Sequence, residues 1–344
     1  MISRRLALGA ALAAPFVSRA PFISQAMAAG AVTVSTWGGD YGELLTRNVE
    51  KPVLAPQGIE VTQDLGSQDT RKTKLTAERT SRRGSMDVAH LGDADMYQMN
   101  LLNVFEPVPF DKLKNGGNII ASLRKPYCIP HIVSAQVIIY NPDKITTPPK
   151  GFADLWDPKY QGRVGISDPN YIVIAMGAAI AHGGSMSNWE PAKKALLDLK
   201  KLDPKLYPSH EQMVQAMKAE DIWIAPMWLA REFMWKKAGI KLAHAVPEEG
   251  AIPVIFEAAV PKNAQNKDAA WAYLDAMLDP TAQLGFADKM GYGPTVTNAN
   301  LSPELAAGIS FSNTEKAKFR LPDYEAQAKA NPLILDFWNK EFKG

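Results

Sequence analysis

The stretch Val32-Thr-Val-Ser-Thr-Trp-Gly-Gly-Asp-Tyr-Gly42 sets the reading of the chain. Val32, Val34 and Thr36 alternate with Thr33 and Ser35, the period of a half-buried strand. The strand stops at Trp37-Gly38-Gly39, and a helix follows with Asp40 as its expected N-cap and Glu43 three residues on. The same pattern recurs. Strands are expected over 59–65, 87–91, 134–140, 162–166, 222–225 and 252–261, with helices over 69–82, 171–181, 229–238 and 266–278. Further helices are expected from Pro280 to near Gly291, behind a Ser187/Glu190 capping box, and over 325–329 and 333–342. Short apolar strands alternating with amphipathic helices define an α/β fold.

Upstream of that strand lies a different kind of sequence. Arg4-Arg5, an apolar run from Leu6 to Val17 and Ala26-Met27-Ala28 make a charged start, a short apolar middle and a small-residue end. That is the pattern of a cleavable export signal, cut near Ala28/Ala29. The run is too short to span a bilayer. Ser3-Arg4-Arg5-Leu6 resembles a twin-arginine (Tat) signal, with an ordinary Sec signal as the alternative. The expected mature protein is periplasmic, and no later segment is apolar for long enough to insert in a membrane.

Removing the leader changes the charge argument. The whole chain carries 38 Lys+Arg against 36 Asp+Glu, and losing Arg4, Arg5 and Arg19 leaves 35 against 36, a net −1. Nucleic acid and anionic membrane are thereby disfavoured as partners. Cys128 is the one cysteine, so an internal disulfide and a cysteine-rich metal site are excluded. The five histidines show no metal-ligand spacing, and there is no nucleophile elbow and no dinucleotide fingerprint. No catalytic residue, metal or cofactor is assigned. The 344 residues less a 29-residue leader exceed what one core usually organises, so two lobes are expected.

Four strand ends run into helices: Trp37-Gly38-Gly39-Asp40-Tyr41, Gly92-Asp93, Ser167-Asp168 and Met227-Trp228. Ligands of open α/β sheets bind beyond the carboxyl ends of the strands, where helix N-termini offer free N–H groups. These junctions therefore predict a cleft with aromatic walls, carboxylates and backbone donors, the makings of a small-molecule pocket. Trp37, Gly38, Gly39, Tyr41, Gly92, Asp93, Asp168 and Trp228 are its candidate residues. Each has a plainer alternative in packing or helix capping. Arg231, one turn beyond Trp228, is placed to reach a carboxylate or phosphate there.

Ser35-Thr36-Trp37-Gly38-Gly39-Asp40-Tyr41 is similar to the opening of periplasmic solute-binding proteins of the spermidine/putrescine type. Gly151-Phe-Ala-Asp-Leu-Trp-Asp-Pro-Lys-Tyr-Gln-Gly-Arg163, Val260-Pro-Lys-Asn-Ala-Gln-Asn-Lys-Asp268 and Met290-Gly-Tyr-Gly-Pro-Thr295 continue the resemblance in the family's order. The resemblance implies the two-lobed periplasmic-binding-protein (type II, Venus-flytrap) fold, with two strands crossing between lobes near 134–141 and 252–261. It divides the mature chain into 30–138 plus 257–300 and 139–256 plus 301–344. It implies hinge closure on a small-molecule solute and transient docking to an ABC permease, with the binding protein a monomer that does no chemistry.

The resemblance also assigns aromatic walls and one carboxylate to Trp37, Tyr41, Asp168, Trp228 and Tyr292. A second carboxylate belongs in the strand 252–261, where the best register gives Phe256 with Glu257 beside it. Neighbouring strand residues face opposite sides, so Glu257 serves only if the strand is bulged or the register shifts by one. An amine-containing, polyamine-like solute and a zwitterionic or anionic one (an amino-acid derivative, opine or phosphonate) both remain open, the latter with Arg231 as partner. A sensory binding protein and a secreted enzyme using the same cleft are the remaining alternatives.

Overall fold

The computed structural model describes residues 30–344. The expected leader, 1–29, lies outside the described residues, as does its cleavage site. In chain order the elements are β1 (Gly30–Thr36), α1 (Gly39–Leu45), β2 (Ile59–Leu65), α2 (Gln68–Glu78), β3 (Val88–Gly92), α3 (Asp93–Leu101) and β4 (Ile129–Tyr140). Then come β5 (Gly165–Ser167), α4 (Tyr171–Ala181), α5 (Glu190–Lys200), β6 (Lys205–Tyr207), α6 (His210–Lys218), β7 (Ile224–Trp228), α7 (Leu229–Lys237) and β8 (Ala243–Ala245). The chain closes with β9 (Ile252–Ala259), α8 (Lys267–Met277), α9 (Pro280–Met290), β10 (Gly293–Pro294), α10 (Pro303–Ile309), α11 (Asn313–Ala317) and α12 (Tyr324–Phe337).

Two long strands organise everything else. β4 runs antiparallel to β9 from Ile129↔Ala258 to Gln136↔Ile252. At one end β9 pairs with β3, which continues through parallel β1 to β2. At the other end β4 pairs with β7 and β8. The small parallel pair β5–β6 joins through the Val164↔Ile224 bridge. The sheet therefore belongs to both halves of the molecule and is continuous only through β4 and β9.

The core divides along the same line. One apolar cluster joins β1 and α1 to α8 and α9 through Val34, Leu45, Tyr273 and Phe286, and a second packs the other sheet face through Leu91, Met96 and Phe105. Beyond the crossing strands, Phe152, Ile166, Ala175 and Trp338 form a third cluster, and Ile139, Met213, Met227 and Trp235 a fourth. Each half thus has its sheet buried on both faces. That is why β3, β4 and β9 read as near-continuous apolar runs rather than as alternating ones.

Several local expectations need correcting. Gly38, not Asp40, is the N-cap of α1, and Asp40 sits exposed in the first turn. The Ser187/Glu190 capping box does not form. Trp189 occupies the N-cap of α5, and the Glu190 N–H donates to Asn188 Oδ1 at 3.3 Å. Asn266 is the N-cap of α8, yet its side chain caps nothing. Asp87 accepts from the Gln265 and Asn266 N–H groups instead. The last two expected helices are one, α12, which passes through Pro332 and continues as π-helical turns over Trp338–Phe342.

Candidate functional site

A cavity of about 570 Å³ lies where the strand ends of the two halves face each other. β1→α1, β3→α3 and β7→α7 are direct strand-to-helix junctions, and each places the expected residues on the wall: Trp37, Gly38, Gly39 and Tyr41; Gly92 and Asp93; Trp228 and Arg231. Tyr292 lines it from the α9–β10 turn. Gly39 opens α1 at φ 61°, the left-handed region that a side chain would strain.

Phe256 is the hub of the aromatic lining. Its ring meets Trp37 edge-on at 5.3 Å, Tyr292 at 5.5 Å and Trp228 at 5.8 Å. Such edge-to-face geometry is the favoured one for aromatic pairs. Tyr41 adds a further edge-on contact to Trp37 at 5.2 Å. Behind Trp37 the Arg71 guanidinium stacks 4.4 Å from the ring centroid. Arg71 is itself held by Nε–H to the His90 carbonyl at 2.6 Å and Nη1–H to the Gly66 carbonyl at 2.8 Å. Trp37 is therefore fixed from behind and open on its cavity side.

Two assigned carboxylates are not on the wall. Asp168 faces the C-terminal segment, where Oδ1 accepts from Trp338 Nε1–H at 2.6 Å and Oδ2 lies 3.0 Å from Lys343 Nζ. The cavity takes its neighbours Pro169 and Asn170 instead. Glu257 is fully buried on the opposite face of β9, 2.8 Å from Lys125 Nζ, with Cys128 Sγ–H donating to it at 3.3 Å. The reason is the register. Phe256 pairs with Gly92 and Ile132, while Glu257 pairs with Leu91 and Pro130. The sheet does carry an irregularity here, but it falls in β4 between Pro130 and Ile132 and leaves the pleat of β9 intact. Cys128 is fully buried, and burial pushes its thiol well above the usual range, so it is a core residue.

The carboxylates that do line the cavity are all partnered or exposed. Asp93 Oδ2 accepts from Tyr324 O–H at 2.7 Å, and burial raises its pKa against the pull of Lys125. Asp95 sits 3.0 Å from Lys72 Nζ. Asp40 and Glu211 are exposed. Tyr41 O–H meets His131 Nδ1 at 2.8 Å, and burial pushes His131 down to about 3, so its imidazole is neutral.

The opposite wall differs. Trp228 Nε1, Arg231 Nε and Asn170 Nδ2 are buried donors with no hydrogen-bond partner among the described residues. His210 packs edge-on against Trp228 at 5.1 Å and places Nε2 3.3 Å from Asn170 Oδ1. Burial, with Arg231 adding to it, pushes His210 down to about 4, so the ring is neutral as well. Asn170 and His210 were not singled out in the sequence. The Ser209 N-cap of α6, which accepts from Gln212 N–H at 3.2 Å, was the available signal for a helix start presenting His210.

The family profile of the bacterial extracellular solute-binding proteins matches residues 54–313. The chain belongs to that family. It is 28% identical over 254 residues to the spermidine/putrescine-binding periplasmic protein of Escherichia coli K12, a match covering 69% of this chain and 72% of the relative. An ABC transporter substrate-binding protein from Bradyrhizobium japonicum USDA 110 has a similar structure, with TM-score 0.77 at 21% identity, covering 90% of this chain and 99% of that one. So does MotA from A. tumefaciens B6 in complex with glucopine, with TM-score 0.76 at 18% identity, covering 90% and 99%. The two-lobed periplasmic-binding-protein fold implied by the sequence is thus the fold of this chain. As a family member it is a bacterial extracellular solute-binding protein. Its relatives are named as extracellular or periplasmic solute-binding proteins. Among the described residues no helix is long and apolar enough to cross a membrane.

Proposed function

We propose that the chain is a periplasmic monomer that holds a small amine-containing or zwitterionic solute between its lobes and delivers it to an inner-membrane permease. The observation that carries this reading is the aromatic cavity at the strand–helix junctions, with Trp37, Tyr41, Phe256, Trp228 and Tyr292 around one space of single-solute size. The lobes comprise 30–138 with 257–300 and 139–256 with 301–344. Closure bends β4 and β9, the strands through which the main sheet passes from one lobe to the other. The Escherichia coli relative supports an amine on the solute, and the glucopine complex of a protein of the same fold supports a wider range.

A ligand at about a thousand times its dissociation constant adds roughly 4 kcal/mol of stability. Thermal shift against polyamines, amino acids, opines and phosphonates therefore tests the reading. Trp37→Ala and Trp228→Ala are expected to abolish any shift, and an undiminished shift in both would remove the cavity from consideration as the binding site.

A further inference from the structure

We infer that the second-lobe wall is a carboxylate site, in which Arg231, Trp228 and Asn170 donate to a carboxylate of the solute, so that the protein takes a carboxylate-bearing solute rather than a polyamine. This rests on the cavity being the solute site, as proposed above, and adds the chemical class.

Three donors on one wall are buried and without hydrogen-bond partners among the described residues. Buried donors are normally satisfied, and each one that is not needs a reason. All three belong to residues on the wall of the same cavity, and a carboxylate offers two acceptor oxygens with about four lone-pair directions. The guanidinium supplies a planar fork matched to that geometry, and the indole and amide add single N–H bonds. His210 sets the amide. With Nε2–H directed at Oδ1, the Asn170 oxygen is taken and its NH₂ group is left to donate.

The carboxylates tell the same story from the other side. A polyamine is cationic at both ends, and each buried ammonium needs an anionic partner. The two positions assigned to such partners hold none for this cavity: Phe256 occupies one, and Asp168 is held by Trp338 and Lys343. Asp93 and Asp95 are engaged by Tyr324 and Lys72, and the other two lining carboxylates, Asp40 and Glu211, are exposed to water. A dication would also have to lie beside the Arg231 guanidinium. An amine at the far end of a zwitterion meets the aromatic wall at Trp37, where cation–π attraction operates without an ion pair.

Titration calorimetry with 4-aminobutyrate, glutamate, putrescine and spermidine, on wild type and on Arg231→Gln and Arg231→Lys, tests the inference. The expected result is heat with a carboxylate-bearing compound and none with either polyamine. Arg231→Gln is expected to weaken binding at least tenfold, about 1.4 kcal/mol. Arg231→Lys is expected to recover only part of it, because an ammonium lacks the fork. Unchanged far-ultraviolet dichroism and melting of the solute-free variants separate this from misfolding. Binding of putrescine or spermidine that survives Arg231→Gln overturns the carboxylate site while leaving the proposed function standing. Carboxylate binding undiminished in Arg231→Gln overturns the role of Arg231. A panel with no heat for any compound counts against the carboxylate site and the proposed function together. Carboxylate heat that persists in Trp37→Ala/Trp228→Ala counts against the proposed cavity.

Discussion

The two walls of the cavity differ in how the polar groups of their lining residues are paired. On the β1 and β3 side the lining groups are paired, Tyr41 with His131, Asp93 with Tyr324 and Asp95 with Lys72, with Glu257 ion-paired to Lys125 behind the sheet, while Arg71 Nη2, His90 Nε2 and His131 Nε2 behind them have no hydrogen-bond partner among the described residues. On the β7 and α4 side, Trp228, Arg231 and Asn170 hold donors without a hydrogen-bond partner among the described residues. A satisfied wall is rigid and contributes to folding, whereas a wall of orphaned donors contributes to folding less than it could. The difference separates residues that hold the site from residues kept available for a guest. It is most simply broken by measuring stability and affinity in the same variants.

The largest effect on stability is expected from the satisfied side. Glu257→Ala leaves the Lys125 ammonium, only 15% exposed, without its partner. The expected loss is about 3–5 kcal/mol in urea unfolding. Solute affinity in the surviving folded fraction should stay within about threefold, since Glu257 is off the cavity wall. The double variant Lys125→Met/Glu257→Met should recover most of the loss. A double variant as unstable as the single one would mean that the pair's surroundings, not the pair, carry the effect.

Next comes acid. His131 is buried neutral and held down to about 3, against about 6.5 when unfolded. Its folded pKa is depressed, so its contribution is fully present above pH 6.5 and is lost as pH falls toward 3. Wild type should lose about 1.4 kcal/mol per pH unit to this group over that window. His131→Asn starts less stable but lacks this slope, so the gap between the two proteins should narrow on acidification. A constant gap from pH 7 to pH 4 would show that His131 takes up its proton as readily in the folded protein as in the unfolded one.

A smaller change is expected at the rim. Tyr324→Phe removes the bond to Asp93 and leaves a buried carboxylate short of one donor, costing about 1–2 kcal/mol. The smallest change in stability is expected on the open side. Trp228→Phe keeps a ring against Phe256 and His210 but removes an unpartnered N–H. The solute-free protein should melt within a degree or so of wild type, while affinity falls about tenfold. A lowered melting point with unchanged affinity would turn the comparison of the walls around.

Much of this architecture was legible. The strand over 59–65, the helix over 171–181 and the helix between Pro280 and Gly291 are where the patterns put them, because apolar periodicity, proline and glycine set them locally. The junction residues Trp37, Tyr41, Gly92, Asp93, Trp228 and Tyr292 share one cavity because strand ends converge in a sheet of this kind. What failed was side-chain partnership across long sequence distance. Asp168 is claimed by Trp338 and Lys343, some 170 residues away, and Asn266 defers to Asp87. Glu257 and Phe256 differ by one residue, and only pairing with β3 and β4 decides which of them faces the solute space.

α12 has a consequence of its own. Tyr324 at its start is bonded to Asp93 and stacked on Tyr97 of α3 at 5.6 Å, and Asn331 further on accepts from Tyr171 of α4 at 2.6 Å. One helix is thus fastened to both sides of the cleft, far along the chain from the crossing strands. Its start also lies beside β9, since Lys125 Nζ sits 4.1 Å over the Tyr324 ring and 2.8 Å from Glu257, so α12 ties the two sides together next to the crossing strands. Its influence should be felt in how long a solute stays rather than in how fast it arrives, since differences among variants of one binding site fall mostly on dissociation.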